Sequence, residues 1–185
     1  MDKMEIVGQA LGVLAIIISV VSMQLKKRWQ ILLALAMLNL SLVFNQIFLG
    51  MSPSAILGCA LASVHCPISA YKVKKGMTIT RLENIIWSVL YFVSWGVGLY
   101  LAAQMGVISW LDALPFLGIV TFICSVFVPK ERDVRIFTLL NSLVYLVYNA
   151  LNLNIAAISQ VLTIISVVVA LIRYREKKET PAKAE

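Results

Sequence analysis

Acid is scarce in this sequence, and it is missing where it would matter most. Nine Asp and Glu stand against 16 Lys and Arg in 185 residues. None lies in the interior of the long apolar runs, and Glu83 and Asp112 stand at run edges. There is thus no carboxylate at membrane depth to hold a proton or a sodium ion in transit, which favours an uncoupled process. Histidine occurs once, as His65. A membrane enzyme needs convergent acid, base, nucleophile or metal ligands, and one histidine without a carboxylate partner does not supply them. Neither an enzyme nor a cofactor or metal is expected. Cys59, Cys66 and Cys124 are scattered within apolar runs, so neither a disulfide framework nor a metal-ligand spacing can be read from them, and they are expected to be small packing residues.

What the chain has in excess is apolar surface. Its apolar content is 61% and its mean hydropathy +0.90, against about half for a soluble domain. Such a chain dissolves in lipid. Seven runs, at 5–24, 30–49, 53–71, 84–104, 110–128, 133–152 and 155–173, each approach the roughly 20 residues that one crossing requires. The first run follows two acids and one Lys in Met1 to Glu5, unlike the basic start of a signal peptide, and is expected to be a retained helix.

The net charge of +7 would suit a nucleic-acid binder only if it lay on a folded soluble face. Here the cations cluster in alternate loops: Lys26, Lys27 and Arg28; Lys72, Lys74, Lys75 and Arg81; Lys130, Arg132 and Arg135; then Arg173, Arg175, Lys177, Lys178 and Lys183. Only Lys3 falls on the other side, so the positive-inside rule predicts an outer N-terminus and a cytoplasmic C-terminus. Nucleic acid is not expected as a partner; the lipid bilayer is. The tail 176–185 is charged, contains Pro181, and is expected to be disordered. Trp29 and Trp110 fall at run ends, where amphipathic rings prefer to lie.

An internal repeat organises the runs. Leu11 to Val20 matches Leu117 to Val126 at half of the positions, Leu42-Val43-Phe44-Asn45 recurs as Leu146-Val147-Tyr148-Asn149, and Tyr71 to Lys75 recurs as Tyr174 to Lys178. The matches keep their order and a nearly constant separation, as copies of one unit would. Two copies of an odd number of crossings point the same way only if a spacer helix separates them. The unmatched run 84–104 is that spacer. The expected fold is an all-α membrane protein with seven transmembrane helices, two parallel three-helix bundles joined by a linker helix (3+1+3). Its units are 1–75, the linker 84–104, and 110–175, before the tail.

This pattern resembles the superfamily of the sugar-transporting SWEET proteins and the nicotinamide riboside transporters. Within it, the Lys26-Lys27-Arg28 turn, Leu114-Pro115-Phe116-Leu117-Gly118 and Val147-Tyr148-Asn149 are similar to the bacterial inner-membrane family called YgjV, over residues 5–175. The resemblance implies an inner-membrane location and supports the 3+1+3 fold. SWEET proteins bend their helices at prolines in the first two spans of each repeat and carry a Pro-Gln signature. Pro53, Pro67, Pro115, Pro129 and Pro181 lie mostly at run ends here, so a sugar substrate is less supported than the fold.

Unpaired amides in hydrocarbon cost several kcal/mol, so those inside the runs must face protein, water or a ligand. Asn39 and Asn141 sit near mid-depth of the second and sixth runs, where repeat-built transporters bind their substrates. Gln46 and Tyr148 follow two turns later on the same faces, while Asn45 is rotated about a third of a turn from Asn39. Asn45 and its repeat mate Asn149 have a second reading, as bridges between helices near the outer surface. Buried membrane amides tie helices together more often than they touch substrate. His65, two residues before Pro67, is either a titrating or hinge residue or a neutral ring bonded to a carbonyl that Pro67 frees. Gln160, Thr163 and Ser166 are weaker lining candidates.

Gly8 and Gly12, and the stripe Ser54, Gly58, Ala62 and Cys66, suit close helix packing, with a homo-oligomer as the alternative use. Trp87, Tyr91 and Trp95 share one side of the central run and suit packing better than ligand stacking. The functional expectation is a facilitator for an uncharged or zwitterionic solute, sugar- or vitamin-like, worked by rocking of the two bundles. The alternative is a non-transporting scaffold or partner protein.

Overall fold

The computed structural model describes residues 3–106, 110–151 and 156–174, and every described element is helical. In chain order these are α1 (Lys3–Gln24), α2 (Arg28–Phe48), α3 (Pro53–Lys74), α4 (Arg81–Gln104), α5 (Ala113–Phe127), α6 (Glu131–Leu151) and α7 (Ala156–Arg173). A 3-10 turn, Trp110–Asp112, leads into α5. Helices α1 to α6, α5 together with its leading turn, are long and apolar enough to cross a membrane. The described α7 is apolar but shorter: its 18 residues span about 27 Å, against about 30 Å of hydrocarbon. Seven crossings are expected from the sequence, and the described residues supply six of full length. Residues 152–155 ahead of α7, and the tail 175–185, lie outside the described residues.

Local chemistry ends the helices where the runs break. Gly50 takes φ 62° after α2, a left-handed conformation that side chains disfavour, and Pro53 opens α3 as its first residue. Gly76 turns the chain after α3 in the same way. At the start of α4, the Thr80 hydroxyl accepts from the Glu83 backbone N–H at 3.2 Å, and Glu83 Oε2 accepts from the Thr80 N–H at 2.9 Å. This reciprocal cap satisfies two helix-end donors. Glu83 also pairs with Lys72.

Each of α1, α2 and α3 packs on the next, as do α5, α6 and α7. The ring closes where α1 meets α7 and α3 meets α5, while α4 lies outside it against α3, with a lighter contact to α5. Large apolar side chains such as Ile17, Met37, Val64, Val93 and Ile165 point outward, as lipid contact requires. All six ring helices meet in one apolar plug near the ends that carry the basic loops. Met23, Ile31, Leu32, Cys66, Val126, Val134, Val167 and Ala170 are almost wholly buried there. A second cluster, Ala62, Tyr91, Ile119 and Ile123, fixes α4 to α3 and α5.

Helices α3 and α4 approach closely at Gly98. A Cβ placed there would stand 2.3 Å from Ser54 Cα, so α4 touches the α3 backbone directly. Gly96, one half-turn away, has nothing within 4 Å. Overpacking costs about 1–3 kcal/mol. Gly98→Ala should therefore lower the thermal unfolding temperature in detergent, while Gly96→Ala should leave it unchanged or raise it; equal effects would refute the α3–α4 contact.

Candidate functional site

The six ring helices, with Tyr91 of α4, line a cavity of about 320 Å³. Its wall runs from Met23 and Leu35, beside the plug, to Gln9, Leu49, Met51 and Ile158 toward the opposite ends of their helices. Seven of the eight residues singled out from sequence are on this wall: Asn39, Asn45, Gln46, Asn141, Tyr148, Asn149 and Gln160. No Lys, Arg, Asp, Glu or His joins them among the described lining residues.

The amides do two things at once. Asn39 Nδ2 donates to the Leu35 carbonyl of its own helix at 2.7 Å. Asn45 Nδ2 donates to the Gly8 carbonyl at 2.8 Å and so ties α2 to α1. Asn141 Nδ2 donates to the Gly118 carbonyl at 2.7 Å and to Thr121 Oγ1 at 3.2 Å, tying α6 to α5. Asn45 therefore bridges two helices, as one of its two sequence readings has it, and also lines the cavity. Gln46 Nε2 reaches Cys59 Sγ at 3.8 Å, and its Oε1 is buried with no hydrogen-bond partner. Thr163 lines the cavity and bonds Ser19 across the α1–α7 seam. Ser166 does not line it; its hydroxyl donates to the Val20 carbonyl.

His65 stands apart. It is fully buried between α3 and α4, stacked on Trp87 at 4.1 Å, with Nδ1 3.3 Å from the Tyr91 hydroxyl. Tyr91 lines the cavity, so His65 lies one side chain behind the wall. Its described partner is that hydroxyl rather than a carbonyl freed by Pro67, and its Nε2 has no partner. Trp87 and Tyr91 are packing residues toward α3, and Trp95 Nε1 donates to the Asp112 carbonyl at 3.4 Å.

The basic end is closed by more than apolar packing. Arg28, the first residue of α2, donates Nη2 to the Val126 carbonyl near the end of α5 at 2.6 Å. Arg135, near the start of α6, donates Nη2 to the Leu25 carbonyl at 2.8 Å and Nε to the Met23 carbonyl at 3.4 Å, at the end of α1. Its guanidinium lies 4.8 Å over the Tyr174 ring, and the Tyr174 hydroxyl donates to the Gln24 carbonyl at 2.9 Å. Helix C-terminal carbonyls lack intrahelical partners and carry partial negative charge, so a guanidinium is a fitting cap.

A family model described as a bacterial inner membrane protein matches residues 6–178, nearly the whole chain. The chain belongs to the Imp-YgjV family. No curated protein and no solved structure matches it. Together with the apolar helices, the Imp-YgjV match makes it a multi-pass protein of a bacterial inner-membrane family.

Sequence reasoning on this Imp-YgjV chain missed both arginine caps. Arg28 and Arg135 read there only as topology signals, and their partners lie about a hundred residues away in sequence. It also left Asp112 at a run edge. The structure buries Asp112 to 5% exposure, with the Ser52 and Ser54 hydroxyls 3.4 and 3.5 Å from its carboxylate.

Bonds from a charged donor contribute about 1.5–3 kcal/mol each. Cys66 sits in the plug with no exposed surface and reports whether the basic end is open. With Cys59 and Cys124 replaced by Ser, the pair Arg28→Met and Arg135→Met should raise Cys66 alkylation by a water-soluble maleimide tenfold or more. Unchanged labelling would show that the arginines do not close this end.

Proposed function

We propose that this protein is a facilitator for a small uncharged or zwitterionic solute. It works by alternating access between two trios, α1–α3 and α5–α7, which are parallel repeats joined by α4. The carrying observation is the amide-lined cavity between the trios, closed at one end by the plug and the arginine caps while its wall continues toward the other. A structural interior fills such space with apolar side chains, because each buried amide costs free energy unless paired. Here the space is kept, and polar groups face it at mid-depth.

The reciprocal caps support the repeat reading. The start of the second helix in each trio grips the end of the first helix in the other trio. Placement in the SWEET-like superfamily, with the N-terminus outside and the C-terminus cytoplasmic, belongs to the same proposal. Exchange between states then means releasing these caps and the plug at the basic end while the opposite rim closes over the solute. The described lining residues carry no ionised group to couple an ion, which fits diffusion down a gradient.

The second reading is a non-transporting scaffold. It is favoured by the ties of Asn45 to Gly8 and Asn141 to Gly118, which employ wall amides as structural links.

Flux into liposomes separates the two. Gly58 lines the cavity, and the nearest atom to a Cβ placed there is Ile119 Cδ1 at 3.9 Å, an ordinary van der Waals contact, so a side chain can start from this position toward the cavity. Wild-type protein should pass at least one of a panel of neutral and zwitterionic solutes, and Gly58→Leu should reduce that flux tenfold or more with unfolding temperature preserved. Absence of flux across sugars, nucleosides, vitamins, amides and amino acids would overturn transport in favour of the scaffold.

A further inference from the structure

We infer that the cavity recognises its solute through an N–H donor group, an ammonium or a primary amide, and rejects a carboxylate at the same position. The inference rests on the reading of the cavity as a solute site, and it names the chemistry of the recognised end.

The argument lies in which way the wall amides are turned. A backbone carbonyl only accepts hydrogen bonds, so the end of a side-chain amide that faces one must be nitrogen. This removes the usual ambiguity of amide orientation for Asn39, Asn45 and Asn141, each of which faces a main-chain carbonyl. Their Oδ1 atoms are thereby turned away from those carbonyls, with no hydrogen bond among the described residues. Both amide hydrogens of Asn141 are engaged, by Gly118 and by Thr121 Oγ1, which itself donates to its own helix. Gln46 adds a carbonyl oxygen that is buried and unpartnered.

The wall hydroxyls follow the same direction. Ser125 donates to the Phe122 carbonyl at 2.7 Å, Thr138 to the Val134 carbonyl at 2.8 Å and Thr163 to the Ser159 carbonyl at 2.9 Å. A hydroxyl has one hydrogen, so each presents only lone pairs to anything else. Seven wall oxygens are thus restricted to accepting. Against them stand one remaining amide hydrogen each on Asn39, Asn45 and Gln46, the hydroxyls of Ser142 and Tyr145, which can turn either way, and the terminal amides of Gln9, Asn149 and Gln160.

A solute group made only of acceptors meets these seven oxygens lone pair to lone pair. A carboxylate would in addition be desolvated without a cation among the described lining residues, a heavy penalty. A group made of donors satisfies several oxygens at once, as carbonyl rings do for bound cations in channels. The aromatic faces of Tyr91, Phe122 and Tyr145 on the same wall add attraction for an ammonium.

The test uses purified full-length protein and three probes that differ only in one group: benzylamine, benzamide and benzoate. The readouts are the unfolding temperature and protection of Cys59, the thiol on the cavity wall, from N-ethylmaleimide, measured with Cys66 and Cys124 replaced by Ser. Benzylamine or benzamide should protect Cys59 at a concentration at least tenfold below that of benzoate. The order of the first two tells whether charge or hydrogen count dominates.

Gln46→Leu removes the unpartnered buried oxygen; it should raise the unfolding temperature of the free protein and weaken protection by the better of those two probes tenfold. A merely structural role would change the first and not the second. Equal or better protection by benzoate, or no protection by any probe, overturns the inference. Liposome flux is measured separately: flux with benzoate-favouring protection leaves transport standing and removes the donor rule, while amine protection without flux does the reverse.

Discussion

Hydrocarbon offers no hydrogen bonds, and this single constraint orders the whole molecule. Backbone groups are satisfied within helices. Hydroxyls fold back on their own helices, as Ser22 does to Ser19, Ser63 to Ala60 and Ser88 to Asn84. Longer amides cannot all do this. They reach a neighbouring helix, as Asn45 and Asn141 do, and whatever capacity is left over faces the only other polar place available, the space inside the ring. The cavity wall is therefore built from the same groups that hold the helices in register. Removing a wall amide disturbs packing as well as the polarity of the cavity.

The basic end shows how the two halves of the chain are interlocked. Arg28 and Arg135 each leave the start of one helix to cap the end of another that is not its neighbour in the ring, and Tyr174 joins the second cap from the end of α7. Beneath them the plug draws one or more side chains from each of the six ring helices. Six helix ends are thus held by a few concentrated contacts, whereas the wall nearer the opposite end is lined by groups such as Gln9 and Gln160 with room beside them. A structure fastened at one end and spacious toward the other has a natural direction for rearrangement. A ligand that binds the open arrangement better shifts the equilibrium by that difference in affinity and no more.

Asn39, Gln46 and Asn141 line the cavity, and the face each one takes follows from counting residues along a helix. The side of His65 was harder. It shares a helix with wall residues such as Cys59 and Ala62, and only the position of α4, with Trp87 stacked on the ring, decides that it lies behind Tyr91 rather than in the wall. Gly98 carried no signal because a single glycine in an apolar run is common, and its meaning comes from the Ser54 backbone beside it.

Sequence alone determined that this chain lives in a membrane, where most helices begin and end, which loops share a side, and that amides stand at mid-depth. Those properties depend on the bilayer's thickness and polarity, which act on each segment separately. Tertiary structure decided which way the amides turn, which helix end each arginine caps, and whether the space between the helices is filled or kept. These depend on contacts between residues about a hundred positions apart, and no local pattern records them.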